Sequence, residues 1–357
     1  MRKCILLVLL SVLLTVRVYA TESSIVDTED LVKGLPEEAA DLVEDLSPNG
    51  SLSFSQSVWN ILERGFTSGM GAISEGLSLC VVLLAIIFFC SLCLRPNLHH
   101  DIRLCLGAMG LFTAVMGSFQ SMIRLAEQTV EKLRDYSGLL LPVMSTALAV
   151  SGAPGTATAL QGITVLFSRI LMGSMMKYLF PCVYFYLVLG AAEAGLSNKL
   201  LSELRELVGW VVEKSLRIIL YSFTAFLSLS GVISGKADAL AVKATKAAIS
   251  GMVPVVGSIL SDASETLLAG ASLVKHTAGV FGLVAVLAIA VVPFFRIAVQ
   301  YLLMKCTAAC AGTVGLDAHV SYLKHISTAM GYVLAMTGIC TLLLLVSGVC
   351  YLQVSSV

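Results

Sequence analysis

From residue 77 to the C-terminus, long apolar runs are separated by short polar interruptions. The clear runs are Leu77–Leu94, Leu104–Ile123, Tyr178–Gly195, Leu216–Ser234, Ala278–Phe295, Ile297–Gly315 and Thr328–Leu352. Each is about 17–25 residues long, the length at which a helix crosses a hydrocarbon core of roughly 30 Å. The pattern predicts an all-α fold, a polytopic helical membrane protein whose multi-span transmembrane domain covers residues 77–357. Residues 137–176, between the second and third runs, are less regular. They read as a short helical hairpin rather than two ordinary spans, turning at the uncharged stretch Ser151-Gly152-Ala153-Pro154-Gly155.

The first 76 residues have a different pattern. Arg2 and Lys3, an apolar stretch from Cys4 to Val16, and Val18-Tyr19-Ala20 have the form of a secretory signal peptide over residues 1–20. The apolar stretch is short and Arg17 interrupts it, which argues against an uncleaved anchor. Residues 21–76 form an acidic, amphipathic, extracytoplasmic region. Nine carboxylates and one lysine lie between Glu22 and Asp45, yet Leu31, Leu35, Ala39, Leu42 and Leu46 recur at helical spacing. Pro36 suits a first helical turn, and Ser47-Pro48-Asn49-Gly50 ends it. This region is either a solvated acidic face or a small cap that docks a partner.

One segment departs from both patterns. Residues 243–275, KATKAAISGMVPVVGSILSDASETLLAGASLVK, are apolar enough to enter a membrane but carry Pro254, Asp262 and Glu265. Read as a helix kinked at Pro254, they place Ser258, Asp262, Glu265, Ala269 and Ser272 on one small, polar face. Gly251 and Gly257 belong to small-xxx-small pairs that permit close helix approach. A carboxylate has too short a stem to snorkel and is costly in lipid, so this helix is expected to be embedded among others. The carboxylate face then either packs at a helix interface or lines enclosed water. Lys177 and Arg296, near span ends, reach the interface by snorkelling.

Composition narrows the function. The chain has 357 residues, of which 57% are hydrophobic and 13% charged. A soluble domain carries about 25% charged residues. Basic residues gather in two loops, at Arg95, His99, His100 and Arg103 and again over Lys199, Arg205, Lys214 and Arg217. The positive-inside rule makes both cytoplasmic, which agrees with an N-terminus outside the cytoplasm. The linker over residues 197–214 reads as an interfacial helix, with Leu200, Leu201, Leu204, Leu207, Val208 and Val211 on one face and its charges on the other. Nine of the ten cysteines fall in or beside apolar runs, and Cys90-xx-Cys93 has no second pair to complete a zinc site. Ser230 to Ala237 resembles a phosphate loop only superficially, because Gly231 and Gly235 enclose too few residues and Ala237 replaces the metal-binding hydroxyl. Without a nucleophile, base or metal set, an enzyme is not expected; nor is a cofactor, a metal or a nucleic-acid partner.

The central block resembles the stage III sporulation protein AE family of endospore-forming bacteria. The resemblance rests on Ser230-Gly231-Val232-Ile233-Ser234-Gly235, Lys243-Ala244-Thr245-Lys246, Ile249-Ser250-Gly251 and Val253-Pro254-Val255-Val256-Gly257. It continues through Ile259-Leu260-Ser261-Asp262-Ala263, Glu265-Thr266 and Gly279-Val280-Phe281-Gly282. It implies a subunit in the mother-cell membrane around the forespore, belonging to a secretion-like channel complex needed after engulfment. The implied partners are the other membrane proteins of the stage III operon and the forespore protein Q, besides membrane lipid. The resemblance carries no catalytic residues. A stand-alone permease for a small solute is the alternative that membrane-embedded charge leaves open.

Overall fold

The computed structural model describes residues 34–36, 39–40, 54–92, 100–150, 154–222, 256–313 and 317–353. Their regular elements are all helical. We label them α1 (Phe54–Leu92), α2 (His100–Val150), α3 (Pro154–Ser174), α4 (Phe180–Leu196), α5 (residues 199–222), α6 (Val256–Ala311) and α7 (Asp317–Gln353). A single π turn, Met175–Leu179, joins α3 to α4. Five helical stretches among the described residues are long and apolar enough to cross a membrane: Val58–Ser91, Leu104–Ala149, Thr164–Leu196, Gly279–Ala311 and Asp317–Val349.

The helices are longer than the hydropathy pattern suggests. Ala278–Phe295 and Ile297–Gly315, expected as two spans, lie largely on the single 56-residue helix α6. Pro293 sits inside it and removes one backbone donor. Packing on both sides holds the rod together there. The span expected at Leu104–Ile123 continues through the predicted hairpin's first arm as one 51-residue helix, α2, again across an internal proline, Pro142. Most of Leu216–Ser234 lies outside the described residues. Where the second hairpin arm meets the next span the chain does not break either; the turn widens. Pro181 has no N–H and would crowd the carbonyl of Lys177 in a regular helix. The π turn absorbs that misfit, with Phe180 N–H donating to Met175 O.

Small residues set the register. On α1, a Cβ at Gly65 would lie 2.1 Å from Val291 Cγ1, and one at Gly76 would lie 2.3 Å from Leu303 Cδ1. The helices α1 and α6 therefore run parallel and nearly in backbone contact. On α7, Gly331 receives the Tyr301 ring and Gly338 the Phe294 ring, so α7 runs antiparallel to α6. Phe119 of α2 meets Tyr184 of α4 edge-on, with ring centroids 6.1 Å apart. A Cβ at Gly195 would touch Ala108, which makes that pair antiparallel as well. These directions bring Leu92, His100, Leu196, Ala311 and Asp317 to one pole of the bundle. At the core, Tyr322, Ile326, Ala329, Met330, Val333 and Met336 are completely buried. Leu35 and Ala39 of the acidic region join the same core, and Ala40 N–H donates to Pro36 O at 2.9 Å in a helical turn.

The seam between α1 and α6 yields a direct test. Replacing Gly76 by leucine forces a side chain into Leu303 and Gln300, and overpacking of this kind costs about 1–3 kcal/mol. Gly71, five residues away, has open space beside it. Thermal unfolding in detergent is expected to show a lowered midpoint for Gly76→Leu and an unchanged one for Gly71→Leu. Equal midpoints for the two variants would show that the seam is not tight.

Candidate functional site

The face proposed from sequence falls partly within the described chain. Gly251 and Pro254 lie outside the described residues, so the expected kink does too. Gly257, Ser258, Asp262, Glu265, Ala269 and Ser272 all lie on helical backbone in the first turns of α6. The described side chains of α6 begin at Gly279. The segment thus continues directly into the helix beyond it, where sequence predicted a separate span.

Among the described residues, the most connected polar site lies at the corner between α4 and α5. Ser197 closes α4 in a left-handed conformation, with φ of 46°, and its N–H donates to Glu193 O at 2.8 Å. Asn198 starts α5 by accepting from Leu200 N–H at 3.0 Å, a helix N-cap in chemistry and position. The chain therefore reverses in two residues, and α5 runs back along α4. That reversal brings Arg205, only 8% exposed, against Glu193, with Nε donating to Oε2 at 2.5 Å. Glu193 holds the corner twice, through its carbonyl at Ser197 and its carboxylate at Arg205.

Aromatic groups enclose this ion pair. The Arg205 guanidinium lies 5.7 Å from the centroid of Tyr186 and donates to its hydroxyl at 3.4 Å. Tyr186 in turn packs edge-on against His325 and Tyr332 of α7. Tyr332 OH donates to Gly209 O at 3.4 Å, closing the circuit back to α5. The approach is close at Gly209: a Cβ there would lie 3.0 Å from the Tyr186 ring and 3.3 Å from Tyr332 OH, so a larger residue needs those rings to give way by a few tenths of an ångström. Arg205, shared between the half-buried Glu193 and the exposed Glu206 at 3.4 Å, thus ties α4, α5 and α7 together. A second junction is neutral. Buried Gln300 of α6 donates to Ser118 Oγ of α2 at 3.2 Å, and its Oε1 lies against Gly76 of α1.

Glu193 falls inside the apolar run Tyr178–Gly195, whereas sequence reasoning placed Arg205 with the charges of an interfacial helix. The structure corrects that assignment. Arg205, Gly209, Val212, Leu216 and Ile219 form the buried face of α5, while Leu200, Leu204, Leu207 and Val211 are exposed. Lys199, Glu203, Glu206, Glu213 and Lys214 form a third, charged face. Arg205 lies opposite the exposed leucines on the helical wheel, which was the signal available. The Gly65-xxx-Gly69 pair on α1 is a small-xxx-small motif that sequence reading also passed over.

What the arrangement can do chemically is limited. A cleft of about 810 Å³ between α2 and α3 is lined by Arg134, Asp135, Gln161, Ser168 and Arg169. Arg134 is already shared between Asp135 at 3.4 Å and Glu131 at 3.6 Å. Among the described residues, no group of three or more His, Cys, Asp or Glu side chains is placed to hold a metal ion. His319 is fully buried, with Nε2 3.1 Å from Leu104 O, and packs on Gly107. This is a structural contact between α2 and α7.

Comparison with known proteins matches residues 39–354 to the family model described as stage III sporulation protein AE. A curated relative, stage III sporulation protein AE of Bacillus subtilis (strain 168), is 23% identical over 306 residues, covering 84% of this chain and 76% of that protein. No solved structure matches.

The corner is open to a double-mutant cycle. Removing one partner of a fully buried ion pair costs about 3–5 kcal/mol, whereas replacing both with apolar groups is often near neutral. Here the Glu193 side chain is 22% exposed and Arg205 keeps Glu206 at 3.4 Å, so Glu193→Leu or Arg205→Met alone is expected to lower the thermal midpoint by less than that figure implies, and the double variant to recover most of the loss. Additive losses would mean that the two residues act independently.

Proposed function

Because the chain belongs to the stage III sporulation protein AE family, we propose that it is a non-enzymatic, multi-pass subunit of a channel complex between mother cell and forespore. The single observation that carries this reading is the family match over nearly the whole chain. The described helices add support of a physical kind. They bury their polar groups in pairs and junctions that fix helix packing, as at Glu193–Arg205 and Gln300–Ser118. None of these places a nucleophile beside a base. Energy for transport would then come from a separate component of the complex.

In this reading the pole that gathers Leu92, His100, Leu196 and Asp317 faces the cytoplasm of the mother cell. Its flanking loops carry Arg95, His99, Arg103 and Lys199, as the positive-inside rule requires. The opposite pole, with the starts of α1 and α6, then faces the space between the two membranes. Its partners there are the other stage III operon proteins and the forespore protein Q. The face of Ser258, Asp262, Glu265, Ala269 and Ser272 lies toward that pole, where it either meets a partner helix or lines enclosed water.

Deleting the gene in the bacterium that carries it is expected to block sporulation after engulfment, with rescue by the wild-type chain. Normal spores from a clean deletion would falsify the proposed role. The double variant Asp262→Leu/Glu265→Leu is expected to fail in rescue while remaining in the membrane fraction. Full rescue by that variant would remove the face from the functional residues. A stand-alone permease would instead move solute in vesicles containing the purified chain alone, and no such flux is expected.

A further inference from the structure

Helix α5 presents two different surfaces at one depth. It runs along α4, with Arg205 at Glu193 and Gly209 at Tyr186. Helix α4 lies within Thr164–Leu196, a stretch long and apolar enough to cross a membrane, and its one charge is Glu193. At about 100° per residue, Arg205, Gly209, Val212, Leu216 and Ile219 take the buried side of α5. The rest of the helix divides along its length. Leu200, Leu204, Leu207, Val211 and Ile218 form one exposed stripe. Lys199, Glu203, Glu206, Glu213 and Lys214, with the partly exposed Arg217, form the other, and Trp210 stands among them.

Lipid suits the first stripe and not the second. A lysine or arginine can lift its charge along a flexible stem, but a carboxylate has no such reach and is costly in hydrocarbon. Glu203, Glu206 and Glu213 fall within three turns of α5, whereas α1 carries only Glu75 from Phe66 to Leu92. A covering protein suits the charged stripe little better, because the centres of protein interfaces are depleted of charge. Glu206 pairs with Arg205 and Glu213 with Arg217, but Lys199, Glu203 and Lys214 have no ion-pair partner among the described residues. A second copy related by a two-fold axis along the membrane normal would run its α5 parallel to this one. Direct contact would then set Glu203 on Glu203 and Lys214 on Lys214, and like charges in contact repel.

We propose that the charged stripe of α5 lines a water-filled inlet entering from the basic pole, while lipid covers the apolar stripe beside it. The inlet runs from Lys199 to Arg217, about 27 Å along the helix. Its cations, Lys199, Lys214 and Arg217, balance its carboxylates, Glu203, Glu206 and Glu213. A wall of balanced sign suits a polar or zwitterionic solute rather than an ion of one charge. The inlet's part in transport, and the cytoplasmic side on which it opens, rest on the channel reading above; the water in it does not.

Trp210 and Val211 test this directly, because they differ by about 1.5 Å in depth but by about 100° around the helix. The chain has two tryptophans, so Trp59→Phe leaves Trp210 as the sole reporter. Trp59→Phe/Trp210→Phe/Val211→Trp moves the reporter to the apolar stripe, and Leu207→Trp in place of Val211→Trp gives a second one there. Each full-length variant would be reconstituted in phosphatidylglycerol–phosphatidylethanolamine vesicles, with or without bromine on the acyl chains. Acrylamide is expected to quench Trp210 at least twofold and brominated lipid to leave it unchanged, with the reverse for the Val211→Trp and Leu207→Trp reporters. Bromine quenching of Trp210 would place lipid on the charged stripe, and protection from both quenchers would place protein there. Acrylamide quenching of all three reporters would put α5 outside the bilayer. Any of these results overturns the inlet. In the sporulating bacterium, Glu203→Leu/Lys214→Leu is expected to lower spore yield at least tenfold while the chain stays in the membrane fraction. Full yield would deny the inlet a part in transport and leave the role tested by gene deletion standing.

Discussion

Helix α6 is the axis on which the rest of the bundle depends, and it persists because an interrupted backbone has no cheap partner there. Inside a packed bundle, each buried N–H or C=O left unsatisfied costs about 1–3 kcal/mol. A break at Pro293 would expose several such groups, whereas leaving the proline inside the helix forfeits one hydrogen bond. The same balance keeps α2 intact through Pro142 and turns the Pro181 misfit into a single widened turn. With α6 continuous, α1 can lie along it through Gly65, Gly69 and Gly76, and α7 can return along it with Tyr301 and Phe294 seated on glycines. No hydrophobic driving force separates one apolar helix from another in lipid, so close approach and paired polar groups select the partners.

The polar groups are placed accordingly. Glu193 and Arg205 are neighbours only because Ser197 and Asn198 reverse the chain within two residues, and the Tyr186 ring then covers the guanidinium. Gln300 performs a similar service at the meeting of α1, α2 and α6 without a net charge. Both sites lie at helix junctions, and both rigidify the bundle.

Much of this was legible in the sequence. The apolar runs identified an all-helical membrane protein, and the block from Ser230 to Gly282 carried the resemblance that the family match supports. The spans at Leu77–Leu94 and Leu104–Ile123 lie within α1 and α2 apart from the ends outside the described residues. Element boundaries were less legible. Hydropathy divided α6 near Arg296 because a charge normally ends a span, yet Arg296 is exposed at the bundle surface and its helix continues. Arg205 was grouped with the charged face of an interfacial helix. The structure leaves Leu200, Leu204 and Leu207 exposed, in keeping with that reading, but buries Arg205 beside its partner Glu193.

Sequence by itself determined the chemistry of the chain: helix, membrane, family, and an inventory with no catalytic set evident. Periodicity and hydropathy are local properties, and a run of twenty apolar residues has the same signature whether lipid or protein covers it. Only the tertiary structure decided which of the two it was. The apolar stretches 279–295 and 331–349 are covered by their neighbours, whereas Val81, Phe88 and Leu207 are not. That distinction depends on which helices lie side by side and at what offset, which a single turn such as Ser197-Asn198 or a glycine such as Gly76 can fix. No window of sequence shorter than the whole bundle contains it.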